Sequence, residues 1–331
     1  MPPDGVPGGG LLLVHAHPDD ECFATGGLIA RSIAEGRRVD LVVCTGGEEG
    51  EIHDPDLDAE EARSRLGEIR GSELECSVAS LRGKGPGELH LHRLGYRDSG
   101  MIDTPSNSHP EAFWGADLEQ AIGRLVPIIR ATRPAVMVTY DANGNYGHPD
   151  HINAHRVAVA AFQASADPSR FPEAGLAHAV DKFYEIAFNR ERWFGLLGEM
   201  KARGIKLPWG FDADADALAG SLAGTPEDLN PSNVEAARQV AEDLEAGEEP
   251  PSFGTPEALI TTSVEVAAFA APKRAAMECH RTQRQDFGWM LDLPDDLATQ
   301  VLSREYFVLT RWPGRGVADG YREASLFEGL E

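Results

Sequence analysis

The chain is poor in positive charge. Thirty lysines and arginines stand against 54 aspartates and glutamates in 331 residues, a formal net charge of -24, whereas nucleic acid and anionic lipid both attract a basic surface. Neither partner is expected. Long apolar runs are also missing, since no stretch approaches the roughly 20 residues needed to cross a bilayer. The opening MPPDGVPGGG has neither the basic nor the apolar region of a secretory leader. A cytoplasmic location without a membrane partner is therefore expected. Cysteine is scarce: Cys22, Cys44, Cys76 and Cys279 lie far apart with no C-x-x-C spacing. This excludes a cysteine zinc ribbon and gives no sign of a disulfide framework, so reduced, packed thiols are expected.

A G-x-G-x-x-G turn is absent too. The first apolar run, Leu11 to His15, passes into HAHPDDECFATGG, where acids occupy the turn whose glycines would let a pyrophosphate approach a helix end. Acids that repel a phosphate attract a cation.

What is present alternates. Leu11 to His15 reads as a strand, GGLIARSIAEG as a helix ending at Gly36 and VDLVVCTGG as a β-branched strand. A charged helix follows around Glu60 to Ser80, then ELHLHRLGY as a strand, ADLEQAIGRLVPIIRATRP as an amphipathic helix and AVMVTYD as a buried strand. The expected class is α/β, a Rossmann-like, mostly parallel sheet with helices on both faces and a C-terminal α+β extension. Residues 1–175 form the core in this reading. Residues 176–331 complete the same domain through the strand-like segments DKFYEIAF, ALITTSVEV and EYFVLTRW and a helix from Pro272 to Gln283, with 207–255 as a lid or insertion. Parallel sheets place function at the C-terminal ends of their strands. HAHPDDE, TGGEEGEIHD and DANGNYGHPDHINAH all fall at such ends.

The chemistry of these segments is that of a metal hydrolase. Imidazole and carboxylate are zinc ligands, and a catalytic zinc takes three of them while leaving a position open. His17 and Asp20 supply two. In GHPDH, His148 and His151 lie three apart, on one face if a helix starts at Pro149, and one of them completes the set. Asp19 is left free as a general base, and a second histidine held protonated by an acid, His148 with Asp150 as its orienter, can stabilise an oxyanion or protonate a leaving nitrogen. A lone His-Pro-Asp-Asp would read as an ordinary helix cap. Two such motifs, each between a strand-like and a helix-like run, argue for a shared site. His15 and His155 then read as packing or supporting residues, and His53, His90, His92, His109 and His178 as solvated or packed ones.

At these residues the sequence resembles the LmbE-like, or PIG-L, family of zinc-dependent N-deacetylases, through Ala16 to Glu21 (AHPDDE) and His148 to His151 (HPDH). TGGEEGE, RGSEL, YRDSGM, TYDANGNYGHPDH and HRTQ extend the similarity along most of the chain in matching order. Within the family it is similar to the mycothiol-pathway branches, an N-acetylglucosaminyl-inositol deacetylase and a mycothiol S-conjugate amidase. YRDSGM and GNYGHPDH are closer to the former, SRFPEAG and DKFYEIAFNRERW to the latter. The resemblance implies His17, Asp20 and His151 as metal ligands, Asp19 as base and His148 as electrostatic catalyst. It further implies Tyr146 as an aid to the oxyanion and Arg70, Asp98 and Glu51 as substrate contacts. ECFATGG and the acidic EEGEIHDPDLDAEE loop depart from the family's usual pattern, which bears on the acceptor.

The expected function is zinc-dependent removal of an acetyl group from the amide nitrogen of an N-acetylglucosamine-type sugar conjugate. Ferrous iron accepts the same ligands. The alternatives are cleavage of a larger amide in a mycothiol-type conjugate and, from another class, non-catalytic metal or sugar binding. The expected partner is the small N-acyl sugar, and a homo-oligomer is compatible with the sequence.

Overall fold

Strand β1 (Gly10–His15) is buried along nearly its whole length, which is why its leucines follow one another instead of alternating with polar residues. In the computed structural model, which describes residues 9–206 and 254–330, β1 pairs in parallel with β2 (Arg38–Thr45) on one side and β4 (Pro134–Thr139) on the other. β3 (Glu88–Tyr96) extends the sheet beyond β2, and β5 (Lys182–Ala187) extends it beyond β4, all parallel. β7 (Arg304–Arg311) then pairs antiparallel with β5, and β6 (Thr262–Glu265) antiparallel with β7. The order is β3-β2-β1-β4-β5-β7-β6. The chain therefore leaves β1 for β2 on one side and later returns to the other side as β4. The crevice between β1 and β4 is the point where an open α/β sheet receives its ligand.

Helices cover the sheet. α1 (Asp20–Ala34) packs with α3 (Leu66–Arg82) and α7 (Ala270–Cys279), while α4 (Leu118–Thr132) packs with α5 (Pro149–Ala166), and β1 touches both α1 and α5. α4 is capped by Asp117, whose carboxylate accepts the Gln120 N–H, and ends at Arg133 in the left-handed conformation just before Pro134. The charged segment predicted as one helix is two: α2 (Ala59–Arg63), capped by Asp58, and α3, separated where Arg65 leaves helical geometry at φ -128°. Likewise the helix predicted to run to Gln283 ends at Cys279, followed by a 3-10 turn at Arg281–Gln283 and then α8 (Arg284–Leu291) and α9 (Asp295–Leu302).

The chain divides into one unit of Met1–Ala187 with Leu259–Glu331 and a second of Phe188–Ala258. The second contains α6 (Arg190–Ala202), capped by Asn189, and a bridge of Asn189 to Thr255. Most of the expected lid, residues 207–253, lies outside the described residues.

One expectation is corrected. Cys76 on α3 and Cys279 at the end of α7 form a disulfide, with Cα atoms 5.7 Å apart, and only Cys22 and Cys44 are buried free thiols. The two are 203 residues apart; the packing of α3 on α7 joins them, and no local spacing could signal it.

Candidate active site

The turn after β1 and the start of α5 bring three residues together. His17 Nδ1 lies 3.2 Å from His151 Nε2 and 3.6 Å from Asp20 Oδ2, and His151 Nε2 lies 3.5 Å from Asp20 Oδ1. Ligands about 2.0–2.1 Å from a tetrahedral zinc are roughly 3.3 Å from one another, so these atoms already stand at coordination spacing. The donor set passes a second test. His17 Nε2 lies 3.4 Å from Asp150 and 3.5 Å from Asp98; against burial these carboxylates raise its pKa well above the ordinary value, and they hold the Nε2 proton when Nδ1, which faces Asp20 and His151, gives up its own to a metal. Burial brings the His151 imidazole down to about pKa 4 against the opposing pull of Asp20, so it is neutral, as a ligand must be. Burial also opposes ionisation of Asp20, but His151 and His17 outweigh it and hold the carboxyl below its ordinary range. The residues fit a divalent metal.

Tyr140, at the end of β4, supports this group and was not singled out by the sequence. Its hydroxyl donates to Asp20 Oδ2 at 2.7 Å and accepts the Ala16 N–H at 2.7 Å, while its ring stacks on His151 at 4.1 Å. Gly144, at φ +64°, lets its loop lie against α5, because a Cβ there would come within 2.6 Å of His151 Cβ.

Asp19 stands beside the ligands with a backbone strained to φ 117°, a region that costs an L-residue about 1–3 kcal/mol. Burial lifts its carboxyl to about 7, opposed chiefly by Arg70. Arg70, almost wholly buried on α3, donates through Nη2 to Asp19 Oδ2 at 3.1 Å and Pro18 O at 2.6 Å, and through Nη1 to Gly47 O at 2.8 Å. Gly47 must be glycine: a Cβ would lie 2.4 Å from Arg70 Nη1.

His148 is the N-cap of α5. Its Nδ1 accepts the backbone N–H of Asp150 at 3.1 Å, so the neutral ring carries its proton on Nε2. Burial, with His17 and His151, pushes its pKa well below the ordinary value. This corrects the expected arrangement, a protonated His148 oriented by the Asp150 carboxylate. The orienting group is the Asp150 N–H, while the carboxylate accepts from Ser99 Oγ at 2.5 Å and Ser99 N–H at 2.9 Å and faces His17. One nitrogen of His148 lies within 4.8 Å of one on each of His17 and His151. Tyr146 is about half exposed, with its hydroxyl 3.4 Å from His151 Nε2. Burial of that end, with Asp20 and Asp19 near, raises its pKa well above the ordinary value and keeps it a donor.

The expected substrate contacts lie at different depths. Asp98 is buried with Oδ1 accepting from Gly100 N–H and Oδ2 from Glu49 N–H. It lies against His17, 3.5 Å from Nε2, as Arg70 lies against Asp19. The Glu51 carboxylate is exposed and lies 2.6 Å from His53. Glu21 and His280, both fully buried and 2.8 Å apart, were also missed as supporting residues. His280 opens the HRTQ segment, whose Thr282 donates to Glu73 and whose Gln283 donates to Glu51 O.

Residues 12–162 match the family described as "PIG-L: GlcNAc-PI de-N-acetylase". The chain is 41% identical over 97% of its length to the 1D-myo-inositol 2-acetamido-2-deoxy-alpha-D-glucopyranoside deacetylase of Geodermatophilus obscurus, 97% of which is covered. It is 42% identical over 96% of its length to the protein of the same name from Thermobifida fusca, 98% of which is covered. Among solved structures, it resembles the 4-carboxy-2-hydroxymuconate hydratase of Pseudomonas putida KT2440, at a TM-score of 0.54 and 14% identity over 93% of this chain and 99% of that one. That likeness is of fold, which hosts more than one chemistry.

Proposed function

The chain belongs to the PIG-L family, and from that premise and the geometry of its site we propose that it is a metal-dependent hydrolase removing the acetyl group from N-acetylglucosaminyl-inositol. The observation that carries the reading is the grouping of His17, Asp20 and His151, with the two imidazoles 3.2 Å apart and the two oxygens of the Asp20 carboxylate 3.5–3.6 Å from them, and a further carboxylate, Asp19, beside it. Two relatives at 41% and 42% identity over nearly the whole chain support acetyl as the group removed, in preference to the larger acyl group of a thiol conjugate. They also support a small N-acyl sugar conjugate as the substrate.

Zinc is the metal we assign, with ferrous iron the alternative; in such a site it polarises a carbonyl and makes water acidic enough to attack near neutral pH. The chain's own residues do the rest. Asp19, aimed by Arg70, takes the proton from the attacking water, and the Arg70 guanidinium 3.1 Å away favours its ionised form. His148 donates from Nε2, its Nδ1 being held by the Asp150 N–H, and Tyr146 donates its hydroxyl, both toward the oxygen on which negative charge collects. Asp19 then returns its proton to the departing nitrogen, releasing acetate and a free amine.

Replacing Asp19 by Ala should lower turnover by about 10²–10⁴-fold while one equivalent of metal stays bound. Full activity in that variant would remove Asp19 from this role, and release of a larger acid in place of acetate would favour the amidase.

A further inference from the structure

The strained geometry of Asp19 has an evident holder. Its N–H donates to Glu21 Oε2 at 2.9 Å. The other oxygen of Glu21 receives Ser77 Oγ at 2.5 Å and lies 2.8 Å from His280 Nε2. All three side chains have no solvent exposure. A fully buried carboxylate is costly unless its partners are in place, and an apolar residue would fill the same space more simply, so its presence needs a reason beyond packing.

The two donors have unusual neighbours. Ser77 follows Cys76 in the chain, and His280 follows Cys279, and these are the two cysteines joined by the disulfide between α3 and α7. One covalent link thus fixes the separation of the two groups that grip Glu21. Arg70, a further residue of α3, holds Pro18 O and Asp19 Oδ2 on the other flank, and the N–H groups of Cys22 and Phe23 hold Asp19 O.

We propose that Glu21 is the positioning residue for Asp19, and that the Cys76–Cys279 disulfide keeps Ser77 and His280 in place around it. Glu21 touches no reacting atom. It accepts the Asp19 N–H, keeps φ at its strained value and so aims the carboxylate. Losing the acceptor lets the turn relax and swings the base away, and a displacement on the order of 1 Å costs up to about 10²-fold in rate. The inference rests on Asp19 being the base.

The test compares Glu21→Leu, Glu21→Gln and the double variant Cys76→Ser/Cys279→Ser, each zinc-loaded, in acetate release with metal content measured. Glutamine still offers an oxygen to the Asp19 N–H; leucine does not. The expected result for Glu21→Leu is kcat lower by about ten- to a hundredfold, KM within about twofold of wild type and one metal retained, with Glu21→Gln recovering most of kcat. Unchanged kcat in Glu21→Leu overturns the proposal. So does loss of metal, which would place Glu21 in support of Asp20, and so does a Glu21→Gln as slow as Glu21→Leu. Should Glu21→Leu not fold, the serine pair decides: a severalfold fall in kcat at unchanged KM and metal content supports the proposal, and wild-type kcat overturns it. Asp19→Ala separates the two levels. If it is inactive while Glu21→Leu is fully active, only the positioning role fails; if it is active, the base assignment itself fails.

Discussion

At the scale of single residues, the proposed ligands could be picked out because their chemistry is in the side chain: an imidazole or carboxylate at a strand end admits few uses. His17, Asp20 and His151 come together as the motifs suggested. Tyr140, Glu21 and His280 were not legible in this way, since a tyrosine after a strand or a histidine after a helix is ordinarily packing, and their roles depend on contacts across 120 and 259 positions. His148 shows the limit from the other side. Its position could be read, but its tautomer is set by a backbone N–H that no residue type announces. Tyr140→Phe keeps the stacked ring and removes the hydroxyl from Asp20, so zinc affinity should fall about 10–100-fold in a chelator competition. Wild-type affinity would show that the hydroxyl does not hold the ligand. His148→Ala should lower kcat by about 10²–10³-fold while metal remains bound, which single-turnover kinetics with metal analysis will check.

At the scale of elements, the alternation of strands and helices was readable from periodicity, and the nearly continuous apolar runs of β1 and β4 marked a parallel sheet buried on both faces. The break between α2 and α3 was not readable, because it falls at Ser64 and Arg65, neither of them a helix breaker, while the nearby Gly67 lies inside α3. The disulfide was invisible for a related reason. It reports which helices pack, not what either contains. Because it closes a loop of 203 residues, replacing both cysteines by serine should lower the free energy of unfolding by about 2–5 kcal/mol in urea titration. An unchanged midpoint would mean the bond adds nothing to the stability of the folded chain.

At the scale of the whole molecule, the acidity that disfavours anionic partners also brings carboxyls together at the C-terminal ends of β4 and β5. Burial, with Asp141 near, raises Glu185 to about 7, opposed by Arg311 and the Thr310 hydroxyl, and His155 lies 3.9 Å away. An acid with a raised folded pKa binds its proton more tightly when folded. Its contribution is therefore full below its ordinary value of 4.5 and is lost as pH rises through about 7. Glu185→Gln should accordingly raise Tm relative to wild type more at pH 8 than at pH 5; an equal difference at both would contradict the shift. No helix among the described residues is long and apolar enough to cross a membrane. The central claim is that these elements converge on one metal-dependent amide hydrolysis. Its most direct test is acetate release from N-acetylglucosaminyl-inositol by the full chain stripped of metal and then reloaded with zinc or ferrous iron. The account predicts no release from the stripped protein and restored release on reloading. Release that survives stripping, or none with metal bound, would contradict it.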